Sequence, residues 1–197
     1  MTHKTWVYSD PHFYHQNICV FTNYDGSPLR PWDDAETMTE DLIERYNALV
    51  GDQDRVYILG DVAFTPNNME RAVSRLKGRK VLVPGNHDPQ KMRRYIGLFD
   101  DIRGYVVKKG YIMSHIPLHP DCLYRWKLNI HGHLHGNQIM ATPMGFKMVQ
   151  QGDEHAVEFP LDPIPDPRYF NASVEQTDFQ PIELDAILEM RGLTDIV

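Results

Sequence analysis

Five short clusters of Asp, Asn and His, each directly after a run of β-forming apolar residues, constrain this chain more than any other feature. They are Asp10-Pro11-His12, Gly60-Asp61, Gly85-Asn86-His87-Asp88, Ser114-His115 and Gly132-His133-Leu134-His135. The runs before them are Trp6-Val7-Tyr8, Val56-Tyr57-Ile58-Leu59, Val81-Leu82-Val83, Tyr111-Ile112-Met113 and Leu128-Asn129-Ile130. Short β-branched and aromatic runs stopped by turn residues predict strands. Each cluster is therefore offered at a strand's end.

Between the first three runs the spacing turns helical. Met38, Leu42, Ile43, Tyr46 and Leu49 predict a helix from about Ala35 to a stop at Gly51. A shorter helix is predicted over Met69 to Leu76, closed by Gly78. Strand, helix, strand, helix, strand implies right-handed crossovers and a largely parallel sheet, whose ligand sites cluster outside the carboxyl ends of its strands. The second half differs. Tyr105 to Lys108 and Tyr111 to Met113 flank Lys109-Gly110 as a hairpin. Gly136 to Pro167 reads as a long Gly-, Pro- and Met-rich excursion. Tyr169 to Val174 is a candidate closing strand, and Ile182 to Met190 a candidate C-terminal helix. A two-sheet sandwich flanked by helices fits this order, and a single domain over residues 1–197 is the default for the length.

The clusters contain Asp, Asn and His but no Cys. That donor set suits two neighbouring hard-to-borderline divalent ions rather than a structural zinc, which recruits thiolates. The net charge of −7 argues against long nucleic acid or an anionic membrane as partner. It leaves room for a small anionic substrate, because bound cations reverse the local field. With only Cys19 and Cys122, no signal-like N-terminus and no run of about 20 apolar residues, a cytoplasmic location is expected. Nothing in the sequence sets an oligomeric state.

Asp10 and His12, two residues apart, project the same way from an extended backbone. Asp61, at a glycine turn, has two oxygens with which to bridge two cations. Asn86 adds a neutral oxygen, and His115, His133 and His135 add imidazole nitrogens. Any one cluster has an ordinary explanation as turn or capping chemistry; five at successive strand ends do not. His131 shares a face with His133 and His135 on an extended segment, so spacing alone does not select two of the three. His15, Asn86 and Arg30 are the candidate substrate-binding residues, with Asn17 a weaker one; a planar guanidinium suits phosphate. His3, His119 and His155 are expected to be solvated, and Trp32, Tyr124 and Trp126 either line the groove or pack.

These motifs, almost from end to end, resemble the calcineurin-like metallophosphoesterases. His12-Phe13-Tyr14-His15-Gln16-Asn17-Ile18, Arg30-Pro31-Trp32 and Asn171-Ala172-Ser173-Val174-Glu175 resemble the small stand-alone microbial and phage branch. The resemblance implies an α/β fold, a four-layer α/β/β/α sandwich with a dinuclear metal site at strand C-terminal ends. One ion would be held by Asp10, His12, Asp61 and His135, the other by Asp61, Asn86, His115 and His133. His87 would be the catalytic acid and Asp88 its partner. The implied reaction is attack on phosphorus by a hydroxide shared between two divalent ions, with manganese favoured over iron, zinc, nickel or cobalt. A small phosphodiester, nucleotide-like, is the preferred substrate class. Phosphomonoesterase or nuclease activity at the same site is the alternative. A non-catalytic scaffold is disfavoured, because every motif position carries its expected residue.

Overall fold

The computed structural model describes residues 3–89, 91–148 and 156–194. Its strands are β1 (Thr5–Tyr8), β2 (Arg55–Ile58), β3 (Arg79–Leu82), β4 (Asp101–Ile102), β5 (Val106–Lys108), β6 (Tyr111–Met113), β7 (Leu128–His131), β8 (Met140–Ala141), β9 (Met144–Met148), β10 (Ala156–Pro160), β11 (Ile164–Pro165), β12 (Tyr169–Asn171) and β13 (Ile182–Glu183). The helices are α1 (Ala35–Leu49), α2 (Pro66–Val73) and α3 (Leu184–Met190). One sheet has the order β13-β1-β2-β3-β4 and a second β12-β7-β6-β5. In the first, β1 through β4 are parallel and β13 is antiparallel. In the second, β12, β7 and β6 are parallel and β5 closes as the antiparallel hairpin partner of β6.

Alternating side chains divide each strand between two cores. Trp6 and Tyr8, Val56 and Ile58, and Leu82 face α1 and α2 through Met38, Leu42, Tyr46, Met69 and Val73. Val7, Tyr57 and Leu59, and Val81 and Val83 face the second sheet, meeting Tyr111, Met113, Leu128 and Ile130. The intervening residue of β6, Ile112, packs outward under Leu123, Leu118 and Trp126. The chain is thus a mixed α/β four-layer sandwich, with a thin outer layer over the second sheet that includes a 3-10 turn at Pro120–Leu123. Apolar runs buried on both faces are what parallel central strands require.

Local chemistry sets the element ends. Asp34 caps α1 by accepting from the Thr37 amide at 2.8 Å. Thr65 caps α2 ahead of Pro66, so this helix lies about three residues earlier than the apolar spacing alone predicts. Ile182 and Glu183, expected in the C-terminal helix, instead pair with Val7 and Trp6 at the sheet edge, and the helix starts at Leu184. β4 is an edge strand too short to show a period. The closing strand ends at Asn171, and Val174 begins a 3-10 turn. The described part of the excursion forms two antiparallel ladders, β8 with β11 and β9 with β10.

Candidate metal centre

Parallel register brings the strand ends level. Tyr8 pairs with Ile58, and Ile58 with Leu82. Past the strands, the Asp10 amide donates to the Gly60 carbonyl (3.1 Å), that of His12 to Asp61 (3.1 Å), and that of Gly132 to His115 (2.9 Å). A parallel bridge between Ser9 and Ser173 ties the two sheets at the same end. Here the backbone leaves the strand conformation. Asp10, His12, Asp61, His133 and His135 all have positive φ, between 49° and 72°. Asp and His tolerate the left-handed region better than most residues, yet each such position costs of order 1–3 kcal/mol. Left-handed turns, rather than an extended backbone, therefore aim these side chains.

The side chains converge as two triads. Donor atoms of Asp10, His12 and His135 lie within 4.8 Å of one another, as do those of Asp61, His115 and His133. Asp61 Oδ2 sits between them, 3.6 Å from His12 Nε2 and 3.5 Å from His115 Nε2. Those separations are too long for hydrogen bonds and suit donors sharing a cation. Two motif glycines make the approach possible. A Cβ on Gly85 would overlap Asp61, and one on Gly132 would overlap Ser9 and Asp10.

Divalent ions fit these residues on three observations. Both ring nitrogens of His12 are buried without a hydrogen-bond partner, a costly state unless a ligand takes them. His115 Nδ1 lies 2.7 Å from the Leu59 carbonyl, which only accepts, so Nδ1 carries a proton and the neutral ring has its lone pair on Nε2. That lone pair faces Asn86 Oδ1 at 2.9 Å. Two acceptors so placed are reconciled by a shared cation. His135 Nδ1 similarly faces Glu175 at 3.1 Å, freeing Nε2 for an ion. Burial pushes His12 well below the ordinary imidazole range and lowers His133, keeping both in the neutral, ligating form. Burial also raises Asp10, against which Ser9 Oγ (2.6 Å), Ser173 Oγ (3.0 Å) and the His133 amide (2.9 Å) donate.

The chain matches the family described as calcineurin-like phosphoesterase over residues 3–154. It belongs to that family. It is 30% identical over 195 residues to an uncharacterized protein of Methanocaldococcus jannaschii, covering 95% of this chain and 90% of the relative. It is 26% identical over 187 residues to the Gene 66 protein of Mycobacterium phage L5, covering 76% of this chain and 86% of that protein. The fold matches the crystal structure of a protein of unknown function from Aquifex aeolicus with a TM-score of 0.59 at 23% identity, covering 96% of this chain and all of that one. Among the described residues, no helix is long and apolar enough to cross a membrane.

Two residues make contacts in this phosphoesterase that the sequence did not foresee. Arg30 is turned inward, 2% exposed. Its guanidinium donates to Glu175 Oε1 (2.8 and 2.6 Å) and to the carbonyls of Asp10 (2.7 Å) and Pro11 (2.8 Å). An isolated guanidinium without those acceptors would not survive such burial. Asp88 does not pair with His87 among the described contacts. Its carboxylate accepts from the amides of Val62 (2.8 Å), Gly85 (2.8 Å) and Asp61 (3.0 Å), bracing the Asp61 turn; burial pushes it up to about 6 against those donors. His87 is exposed, its amide donates to Asp61 Oδ1 at 2.8 Å, and its ring lies 4.7 Å from that of Phe64. His15 is half-buried and also lies against Phe64, at 4.3 Å between ring centres.

His131 leaves the site. It is buried, with Nδ1 2.8 Å from the Gly132 carbonyl and its ring edge-on to Tyr169, and burial lowers it to about 4. Asn17 is exposed on the turn Gln16–Val20, and His3 and His119 are exposed. His155 lies outside the described residues. Trp126 packs over the second sheet and Trp32 against Phe179, while Tyr124 is exposed. Sequence reasoning gave no role to Ser9, Ser173 or Glu175. The Asn171 to Glu175 segment was visible as a motif, but the partners of its side chains lie up to 163 positions away.

Proposed function

We propose that this phosphoesterase is a dinuclear metal-dependent hydrolase of small phosphodiesters. The carrying observation is that Asp61 Oδ2, a donor of the second triad, lies as near to His12 of the first (3.6 Å) as to His115 of its own (3.5 Å). In this reading Asp10, His12, Asp61 and His135 hold one ion, and Asp61, Asn86, His115 and His133 the other, manganese being the first candidate for both. When bound, such a pair supplies a nucleophile from water at neutral pH and offsets charge on the phosphoryl oxygens. His87, outside both triads and exposed beside them, donates a proton to the departing oxygen. Phe64 backs its ring, and the Asp61 carboxylate holds its backbone. In the same reading His15, which also lies against Phe64, hydrogen-bonds a phosphoryl oxygen.

Preference for a diester rests on two features. Clefts open at two edges of the donor cluster, one of about 660 Å³ bounded by His133 and His135, the other of about 360 Å³ bounded by Asn86 and His115. A diester has two substituents to place. Neither cleft includes Lys or Arg in its described walls, and Arg30, the nearby cation, is spent on Glu175. A monoester dianion rewards such cations; a diester monoanion needs fewer. The test is kcat/KM for bis-aryl and mono-aryl phosphates sharing one leaving group, on protein loaded with each metal in turn. Faster diester cleavage is expected, and a clear monoester preference overturns the assignment.

A further inference from the structure

The larger cleft has an unusual wall. Val20, Phe21 and Tyr24 stand at 70%, 49% and 97% exposure, directly beside the loop that carries His133 and His135. Contiguous exposed apolar side chains at a cleft mark a contact surface more often than a packing accident. They do not sit on a slack loop. Leu29 donates to the Phe21 carbonyl (2.8 Å), Asn23 to that of Ser27 (2.8 Å), and Thr22 bridges to Pro28. Asp25 caps the turn through the Ser27 amide at 2.9 Å. The exposed Tyr24 ring at the tip of this turn adds nothing to the core. It does offer a flat ring on a braced backbone, so that only its own two side-chain torsions need be ordered on contact.

The rings continue toward the centre. Phe21 stands edge-on to His15 at 6.2 Å, His15 lies against Phe64, and Phe64 against His87. Across the cleft, Asn137 presents a side-chain amide that makes no protein hydrogen bond among the described residues, and Asn23 Oδ1 faces Gly136. Ring faces with in-plane amide donors and acceptors are what a flat aromatic or heteroaromatic group recognises. His87 does not border this cleft, so the group concerned is the one that stays on phosphorus.

Resting on the diester reading, we propose that the Val20–Tyr24 wall forms a stacking subsite for an aromatic or heteroaromatic substituent retained on the phosphate. The kinetic arm compares 4-nitrophenyl phenyl phosphate with 4-nitrophenyl ethyl phosphate, which share a leaving group. Stacking of this kind predicts a preference for the phenyl ester of roughly tenfold in kcat/KM. In the double variant Phe21→Ala, Tyr24→Ala that ratio should fall close to one. The binding arm uses zinc-loaded protein, which is diamagnetic, and follows the Val20 and Leu29 methyl resonances. Diphenylphosphinate, which has no ester bond to cleave, should shift them upfield by ring current, and dimethylphosphinate should not. Equal rates for the two esters without ring-current shifts overturn the subsite and leave the diesterase reading intact. If neither diester is cleaved but phenyl phosphate is, the diesterase reading fails, and the methyl shifts alone decide whether the cleft takes rings.

Discussion

The two donor triads have the same composition, one carboxylate and two imidazoles, and are supported by different means. Around Asp10, His12 and His135 the support is mostly side chains, with the His133 amide on Asp10 the backbone exception. Ser9 and Ser173 donate to Asp10, Glu175 orients His135, and Arg30 joins Glu175 to the carbonyls of Asp10 and Pro11. Around Asp61, His115 and His133 it is mostly backbone: the His87 amide on Asp61, the Leu59 carbonyl on His115, and four amides gathered by Asp88. Backbone groups persist through substitution, whereas a buried ion pair fails when either partner is lost. The first triad should therefore be the more fragile under mutation and acid.

The shared carboxylate gives the largest expected effect. Asp61→Asn should weaken both ions, well beyond the roughly 10–100-fold cost of an outer-shell change, whereas His12→Ala should chiefly weaken one. Elemental analysis and metal titration read this directly; one ion per chain in fully loaded wild-type protein would contradict the shared arrangement. His87→Ala tests the other half of the division, since it should retain both ions and lose about 10²–10⁴-fold in kcat for poor leaving groups. Loss of metal, or equal losses for activated and poor leaving groups, would place His87 elsewhere in the mechanism.

Glu175→Gln probes the first triad alone. Affinity for one ion should fall about 10–100-fold while the other is retained. Without metal, the same change should destabilise the fold by roughly 3–5 kcal/mol at neutral pH, a drop in Tm on the order of 10 °C. Burial alone would raise the Glu175 carboxyl, but the Arg30 guanidinium and the His135 ring hold it below its ordinary value. A depressed carboxylate contributes its full stability above the unfolded-state value, about 4.3, and loses it as pH falls through the folded value. Glu175 in turn raises His135, and that share of the stability is present below the unfolded imidazole value, about 6.5, and lost as pH rises through the folded one. The wild-type advantage over Glu175→Gln should accordingly be largest between about pH 5 and 6 and close below about pH 4. Denaturant midpoints of chelator-treated protein across pH would show it, and an advantage that persists undiminished well below about pH 4 would refute it. The smallest effect belongs to Ser173→Ala, which removes one hydrogen bond to Asp10. About 1 kcal/mol is at stake, so metal titration should show a several-fold loss confined to the first ion.

The sequence alone determined the parts of this protein whose physics is local. Two-residue alternation and short apolar runs mark the strands because each buried face must be filled from one strand at a time. Turn residues after those runs place Asp10, Asp61, Asn86, His115 and the His133 to His135 segment at strand ends. Which histidines converge was a tertiary matter. The positive φ of His133 and His135 breaks the alternation that would have left them level with His131, and His131 turns away toward Tyr169. The parts of Arg30 and Asp88 were decided in the same way. A guanidinium near a phosphate motif looks like a phosphate donor until Glu175, 145 positions on, folds against it. A carboxylate after a histidine looks like its partner until the amides of the Asp61 turn arrive across 27 positions. Local sequence sets the torsions and the surfaces that must be buried; a buried charge takes its partner from whatever the fold brings beside it.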